Sequence, residues 1–382
     1  MTRTATTIAR SSLMTLLLTA LLSTPVVAVD RDGDGLKDGF EQRHGVTSPT
    51  ERDSDRDGVV DGAEDSDGDR LANHAEQRFG LNPARRDTDN DGVPDPAEDH
   101  DGDGISNAKE QDQRPLPKRT APSLAYVKRD RAVIAKNCIS PQRSANVVSC
   151  RDGDISSDVR IVVMGDSHAT MLVDPIRRAG RSAGWRIETM LKGACMPLLG
   201  TMNSAQWELD GGESCRQWRI RAFARLNANP PDLLILTGND NAVFVDRKGR
   251  ELPRALRPAT WRKGIARVIE RLPAETTLLV LGDVPDTKGN PIACLKRDAS
   301  DMSRCTTRRT PLGKRSIEKA VRSIVAARGQ EYGTLYGKIC PYDPCPVVQG
   351  NTLVWRSKGH LSSTFARKLA PSLRRIIQGA LD

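Results

Sequence analysis

Aromatic residues are scarce in this chain, with five Trp, five Phe and four Tyr among 382 residues. Base-stacking platforms are built from such side chains, so their scarcity argues against nucleic acid as a partner although the net charge is +9. Long apolar runs are missing as well. No stretch reaches the ~20 apolar residues that span a bilayer. The best candidate, residues 13–22, is short and lies between Arg3 and Arg10 on one side and Val26-Val27-Ala28 on the other. That is the anatomy of an export signal, so residues 1–28 are expected to be removed, leaving a mature chain with no transmembrane segment. Histidine is rare, and no two cysteines have C-x-x-C spacing, which argues against zinc. Cysteine itself is absent before residue 138.

The eight cysteines that are present fall in local pairs: Cys138 with Cys150, Cys195 with Cys215, Cys294 with Cys305, and Cys340 with Cys345. An even count behind an export signal predicts disulfides and an oxidising compartment: periplasm, cell surface or medium. The pairing itself rests on proximity alone.

Charge is divided just as sharply. Residues 29–112 hold 25 acidic and 10 basic residues, a net −15, whereas residues 113–382 carry +22. A basic exported domain attracts anionic surface polymers or phospholipid headgroups.

The acidic half repeats. One twelve-residue pattern starts at Asp30, Asp53, Asp65, Asp87 and Asp99. The copies read Asp30, Asp32, Asp34, Asp38, Glu41; then Asp53, Asp55, Asp57, Asp61, Glu64; then Asp65, Asp67, Asp69, Asn73, Glu76. The last two read Asp87, Asp89, Asp91, Asp95, Glu98 and Asp99, Asp101, Asp103, Asn107, Glu110. Calcium takes six to eight oxygen ligands at roughly 2.3–2.6 Å, and a loop offering alternate residues supplies them. Glycine at the sixth place permits the turn, the seventh residue gives a backbone carbonyl, and the final Glu can bind through both oxygens. An apolar residue fills the seventh place each time (Leu36, Val59, Leu71, Val93, Ile105), with a side chain expected to pack inward. The third copy has Arg70 for glycine, so it should be the weakest or most distorted site. Consecutive loops abut at Glu64/Asp65 and Glu98/Asp99, which leaves no room for EF-hand helix pairs. The arrangement, with its spacer Gly80-Leu81-Asn82-Pro83, resembles thrombospondin type-3 repeats. That resemblance implies an extended calcium-binding rod over residues 29–112, with little core of its own. The polar, proline-rich stretch that follows reads as a linker, placed at residues 113–129.

Beyond it, apolar runs at 159–164, 185–191, 233–236 and 277–281 predict buried strands. Helical patterns follow at 171–182, 214–226, 258–271, 314–327 and 363–381. The alternation predicts a parallel sheet wrapped by helices, with its site beyond the carboxyl ends of the strands. The first strand runs straight into Gly165-Asp166-Ser167-His168, where a serine nucleophile belongs. The third ends in Gly238-Asn239-Asp240, and His360-Leu361-Ser362 precedes the last helix.

These blocks, in this order, resemble those of SGNH hydrolases. The resemblance is nearer to the SGNH domains found on bacterial membrane acyltransferases that O-acylate surface polysaccharide. Cys195-Met196-Pro197-Leu198, the Cys138/Cys150 pair and the Cys340/Cys345 pair add to the likeness. It implies a three-layer α/β/α, flavodoxin-like domain over residues 130–382. It further implies Ser167 as nucleophile, His360 as general base, and Asn239 with the Ser167 N–H as oxyanion donors. Gly193 or Gly200 would be the second-block glycine, and Gly193 is taken as the oxyanion candidate. The family's aspartate three residues before the catalytic histidine is Ser357 here. Without that carboxylate, either a dyad works slowly with Asp166 or Asp240 assisting, or catalysis is lost. Two functions are therefore expected: an esterase or acyltransferase on cell-envelope polysaccharide or another acylated glycan, or an inactive glycan-binding or adhesin-type surface protein.

Overall fold

Every residue from Arg160 to Gly165 is buried, and this strand is the axis of the fold. The structure is a computed structural model that describes residues 29–102, 104–200, 202–203, 212–246, 250–308 and 312–382. The expected export signal and Asp103 lie outside the described residues. Six strands form the main sheet: β1 Cys150–Gly153, β2 Arg160–Gly165, β3 Arg186–Leu191, β4 Leu233–Thr237, β5 Thr277–Leu281 and β6 Glu331–Gly333. Their order is β1-β3-β2-β4-β5-β6, with β1 antiparallel to β3 and every other pairing parallel.

The central strands bury both faces, and successive residues serve opposite layers. Ile161 and Val163 of β2 join one cluster with Ile187, Leu233, Ile235, Leu279 and Leu281. Val162 and Met164 join the other, with Met190, Leu234, Leu236, Leu278 and Val280. Among the helices that cover these faces are α1 Ser167–Ala183, α2 Glu213–Ala228, α3 Arg257–Ile269, α4 Leu312–Ala326, α5 Ser363–Lys368 and α6 Ala370–Leu381. Leu172 and Ile176 of α1 pack beside Leu373 and Ile377 of α6 on the first face. Trp218 of α2, Trp261 of α3 and Val321 of α4 cover the second. The three-layer α/β/α fold read from the sequence is the fold observed.

Several elements differ from expectation. Helix α1 starts at Ser167 rather than residue 171, because the Asp166 carboxylate caps it. The closing helix is two, α5 and α6; Pro371, with no N–H to give, sits in the first turn of the second. The edge strands β1 and β6 were not expected, since neither carries an apolar run. All four local cysteine pairs are disulfides.

The acidic repeats depart from a free-standing rod. Short helices follow the first, third and fifth loops (Asp38–His44, Asn73–Phe79, Asn107–Glu110), and single 3₁₀ turns follow the second and fourth. Leu36 and Leu71 are fully buried, and Leu71, Ala75 and Phe79 form a small cluster. Val93, by contrast, is 41% exposed, so its side chain does not pack inward as expected. The block lies against the α/β domain. Arg52 Nη2 donates to Asn351 Oδ1 at 2.9 Å, Gln111 Nε2 to the Asp343 carbonyl at 2.8 Å, and buried Tyr342 OH to Asp112 Oδ1 at 3.2 Å. The Ser372 hydroxyl donates to the Asp57 carbonyl, and Lys338 pairs with the Asp57 carboxylate. Opposite net charge on the two halves favours this docking. The segment read as a linker is also laid down: Leu116 N–H donates to Ala299 O at 2.8 Å, and Val127 is fully buried in the domain core.

Candidate active site and acidic loops

Four consecutive strand ends converge at one edge of the sheet. Gly165 closes β2, and a Cβ there would lie 2.0 Å from the Thr237 carbonyl, so only glycine lets β2 and β4 stay paired. The next residue, Asp166, is buried and tied to main-chain groups. Its Oδ1 accepts the His168 N–H at 2.8 Å and its Oδ2 the Asn239 N–H at 3.1 Å. Burial raises its pKa despite those bonds. Asp166 therefore locks the loop after β4 to the start of α1, and the structure does not bring it to the base as a helper acid.

Ser167 opens α1, half-buried, with Oγ 3.3 Å from His360 Nε2. His360 comes from far along the chain, in a tight hairpin where residues 360–361 pair antiparallel with Trp355–Ser357. Its Nδ1 lies 3.0 Å from the Lys358 carbonyl. An N–H on Nδ1 donates there and leaves the Nε2 lone pair facing the serine. A backbone carbonyl thus holds the tautomer that a carboxylate holds in a triad. It supplies no full negative charge. Burial first, then the positive neighbours His168 and Arg356, lower the His360 pKa to about 4, against the opposing effects of the Lys358 bond and Asp283.

Neither His168 nor Asp283 is among the site residues expected from the sequence. The structure puts both beside His360. His168 Nδ1 is 2.6 Å from Asp283 Oδ1, their side chains are 8% and 2% exposed, and the His168 ring meets the His360 ring edge-on at 5.0 Å. Asp283 sits two residues past β5; its Oδ2 accepts the Asp240 N–H at 3.1 Å. Asp240, the other proposed helper, thus meets the site through its backbone N–H, beside Asp283. The available signal is position: Gly282-Asp283 lies at the end of β5 as Gly165-Asp166 lies at the end of β2.

Asn239 lies two residues past β4, half-exposed, its Oδ1 accepting the Asn241 N–H at 2.9 Å. Lys192 N–H donates to the Gly165 carbonyl at 3.0 Å, which holds the turn carrying Gly193 against the end of β2. Gly200 goes elsewhere: its carbonyl is held by Arg267 of α3 at 2.8 Å. Serine, histidine, an amide and a turn glycine therefore share the carboxyl edge of a parallel sheet, where such folds place their chemistry.

A family model described as "SGNH domain (fused to AT3 domains)" matches residues 137–375. The chain belongs to that SGNH family. Among solved structures, the fold is similar to the periplasmic domain of a lipopolysaccharide acetyltransferase from Salmonella ser. Paratyphi A (18% identity, TM-score 0.46, 59% of this chain and 86% of that one). It is similar also to a family 2 carbohydrate esterase with a carbohydrate-binding domain from Corynascus thermopiles (12%, TM-score 0.35, 59% and 67%). An extracellular lipase from Streptomyces rimosus is a third (12%, TM-score 0.31, 57% and 99%). No curated protein matches the chain.

Ahead of the SGNH domain, the acidic loops share one construction. The first Asp of each loop accepts the N–H of the sixth residue: Asp30 from Gly35, Asp53 from Gly58, Asp65 from Arg70, Asp87 from Gly92 and Asp99 from Gly104, at 2.7–3.2 Å. Arg70 adopts the same left-handed turn, φ +85°, so the third loop keeps its shape at a cost in strain. Asp53, Asp55, Asp57 and Glu64 bring ligand oxygens within 4.8 Å of one another, as do Asp30, Asp32 and Asp34, and Asp65, Asp67 and Asp69. Asp34, Glu41 and Asp61 do so across two loops. Several buried carboxylate oxygens have no protein partner among the described residues: Asp32 Oδ2, Asp34 Oδ2, Asp69 Oδ2 and both oxygens of Glu41 and Glu76. Burial, then neighbouring carboxylates, raise Asp34 to about 7, Glu64 to about 8 and Glu76 to about 9. Buried anions crowded in this way fit a hard divalent cation with oxygen ligands.

Proposed function

We propose that this protein is an extracytoplasmic serine O-acyl esterase or acyltransferase that acts on acylated cell-envelope polysaccharide. The observation that carries the reading is the 3.3 Å approach of His360 Nε2 to Ser167 Oγ, with Nδ1 turned to the Lys358 carbonyl. In the proposed reaction His360 takes the Ser167 proton while Oγ attacks the acyl carbonyl carbon. The Asn239 amide and the N–H groups of Ser167 and Gly193 face the developing oxyanion. Collapse expels the sugar oxygen, which takes the proton from His360 and leaves an acyl-serine. Water or a second sugar hydroxyl, deprotonated by His360, then attacks the acyl carbon, and Ser167 Oγ leaves and takes the proton back from His360. Asp283 is the carboxylate we place behind this cycle: it pairs with His168 and its negative charge favours the imidazolium that forms on His360. The four disulfides support an oxidising compartment. Calcium, held by the aspartate loops, would neutralise and stiffen the block that docks on the SGNH domain.

Ser357 in the family's aspartate position favours a second reading, a non-catalytic glycan-binding surface protein. Labelling with a fluorophosphonate probe separates the two. Wild-type chain should be labelled and Ser167→Ala should not; absence of labelling in both would favour the binder.

A further inference from the structure

A second concave surface lies where the repeats meet the SGNH domain, away from Ser167. It is a cavity of about 1020 Å³. The second repeat contributes Arg52 and Arg56, and α1 contributes Arg178. From α5 and α6 come Arg367, Lys368, Arg374 and Arg375. Against these seven cations the lining holds the carboxylates of Asp53 and Asp382. Arg56 pairs with Glu51 and Arg367 with Asp174, whereas Arg178, Arg374 and Arg375 are exposed and have no ion-pair partner among the described residues. Guanidinium groups converging from a repeat loop and three helices, those of Arg178, Arg374 and Arg375 without an ion pair among the described residues, form a field that an anion would relieve.

We propose that this groove is an anchoring site for the carboxylate groups of an acidic polysaccharide, built jointly by the second aspartate repeat and the C-terminal helices. Guanidinium forks bind carboxylates bidentately. A cavity of this size accepts several sugar units. Among the described residues its walls include no aromatic residue and only Val60, Ala370 and Pro371 as apolar ones, which suits neither base stacking nor insertion into a membrane. Arg178 is eleven residues along α1 from Ser167, about 16 Å at the helical rise, so the groove holds the polymer at a distance from the chemistry. Anchoring there raises the local concentration of acyl groups at Ser167 without touching them. The choice of polysaccharide rests on the esterase reading above; the site itself does not.

The test uses the full calcium-loaded chain carrying Ser167→Ala, with fluorescein-labelled polygalacturonate read by fluorescence anisotropy. Binding should weaken steeply with salt and fall at least tenfold in Arg374→Glu/Arg375→Glu, and independently in Arg178→Glu on a different helix, with circular dichroism confirming the fold. Neutral dextran should not bind. Binding within twofold of the parent in both variants would overturn the proposal. So would tighter binding of duplex DNA or of phosphatidylglycerol vesicles than of polygalacturonate. In a chain with Ser167 intact, the arginine variants should hydrolyse a small neutral ester at the wild-type rate. Polysaccharide binding through these arginines without any ester hydrolysis would support the groove and count against the esterase.

Discussion

Asp283 holds His168 at 2.6 Å, and His168 in turn packs edge-on against His360 at 5.0 Å. The carboxylate that SGNH domains place before the catalytic histidine is thus missing from one side of the imidazole, while another carboxylate stands on the far side of a second histidine. If Asp283 stabilises the charge on His360 by offsetting that of His168, Asp283→Asn should lower kcat of a small acetyl ester by roughly tenfold to a hundredfold with KM little changed. His168→Gln, which removes a positive neighbour, should raise the His360 pKa and move the acid limb of kcat/KM upward. A purely structural pair would instead lower thermal stability and leave the kcat of the folded fraction intact.

The low pKa of His360 sets the acid limb of the reaction. With His360 at about 4, kcat/KM should stay flat from neutral pH down to near 5 and fall below that as the base is protonated. An acid limb near 6.5 would mean that burial and the positive charges of His168 and Arg356 do not act on it as described.

Ser357 pairs directly with His360 in the hairpin register, so their side chains share a face. Ser357→Asp should therefore place a carboxylate beside the imidazole, raise its pKa, move the acid limb upward and increase activity by roughly tenfold. No change would show that the Lys358 carbonyl already meets the need.

Much of this was legible in the residues. The central strands announced themselves because both of their faces are buried, as Val162 and Val163 show by serving opposite clusters. The Ser167 turn, the Asn239 loop and the His360 block stood out because each follows or precedes a strong element. Edge strands β1 and β6 did not, because half-exposed strands need no apolar run. Asp283 escaped for a different reason: its partner His168 is close only in space, 115 residues away in the chain. Nor did the repeats reveal their docking, since its partners are close only in space and two of its contacts end on main-chain carbonyls, those of Asp57 and Asp343.

That docking is open to a direct test at Gly58. Its φ is +97°, and a Cβ there would lie 2.3 Å from the Lys368 carbonyl. Gly58→Ala should cost about 1–3 kcal/mol of stability and loosen the second repeat from the SGNH domain. Hydrogen exchange should then rise at Asp57 and Ser372 together. Unaltered protection at both would place the repeats off the domain surface in solution.

The acidic loops make the strongest pH prediction. Glu64 and Glu76, at about 8 and 9, and Asp34, at about 7, all lie above their unfolded values because burial and neighbouring carboxylates disfavour the charged form. A folded-state pKa raised in this way stabilises the fold fully only below the unfolded value. The contribution is lost as pH rises through the folded one. In EGTA, the repeat block should therefore lose stability progressively between about pH 5 and 9. Calcium reverses the sign of the problem, since it replaces protons with a cation that wants ionised carboxylates. Its binding at pH 7 should release protons, seen as a dependence of calorimetric heat on the ionisation enthalpy of the buffer, and its affinity should rise with pH. The melting temperature of the block should then climb with pH in calcium and fall with pH in EGTA. Parallel curves in the two media, with no proton release, would remove calcium from these loops.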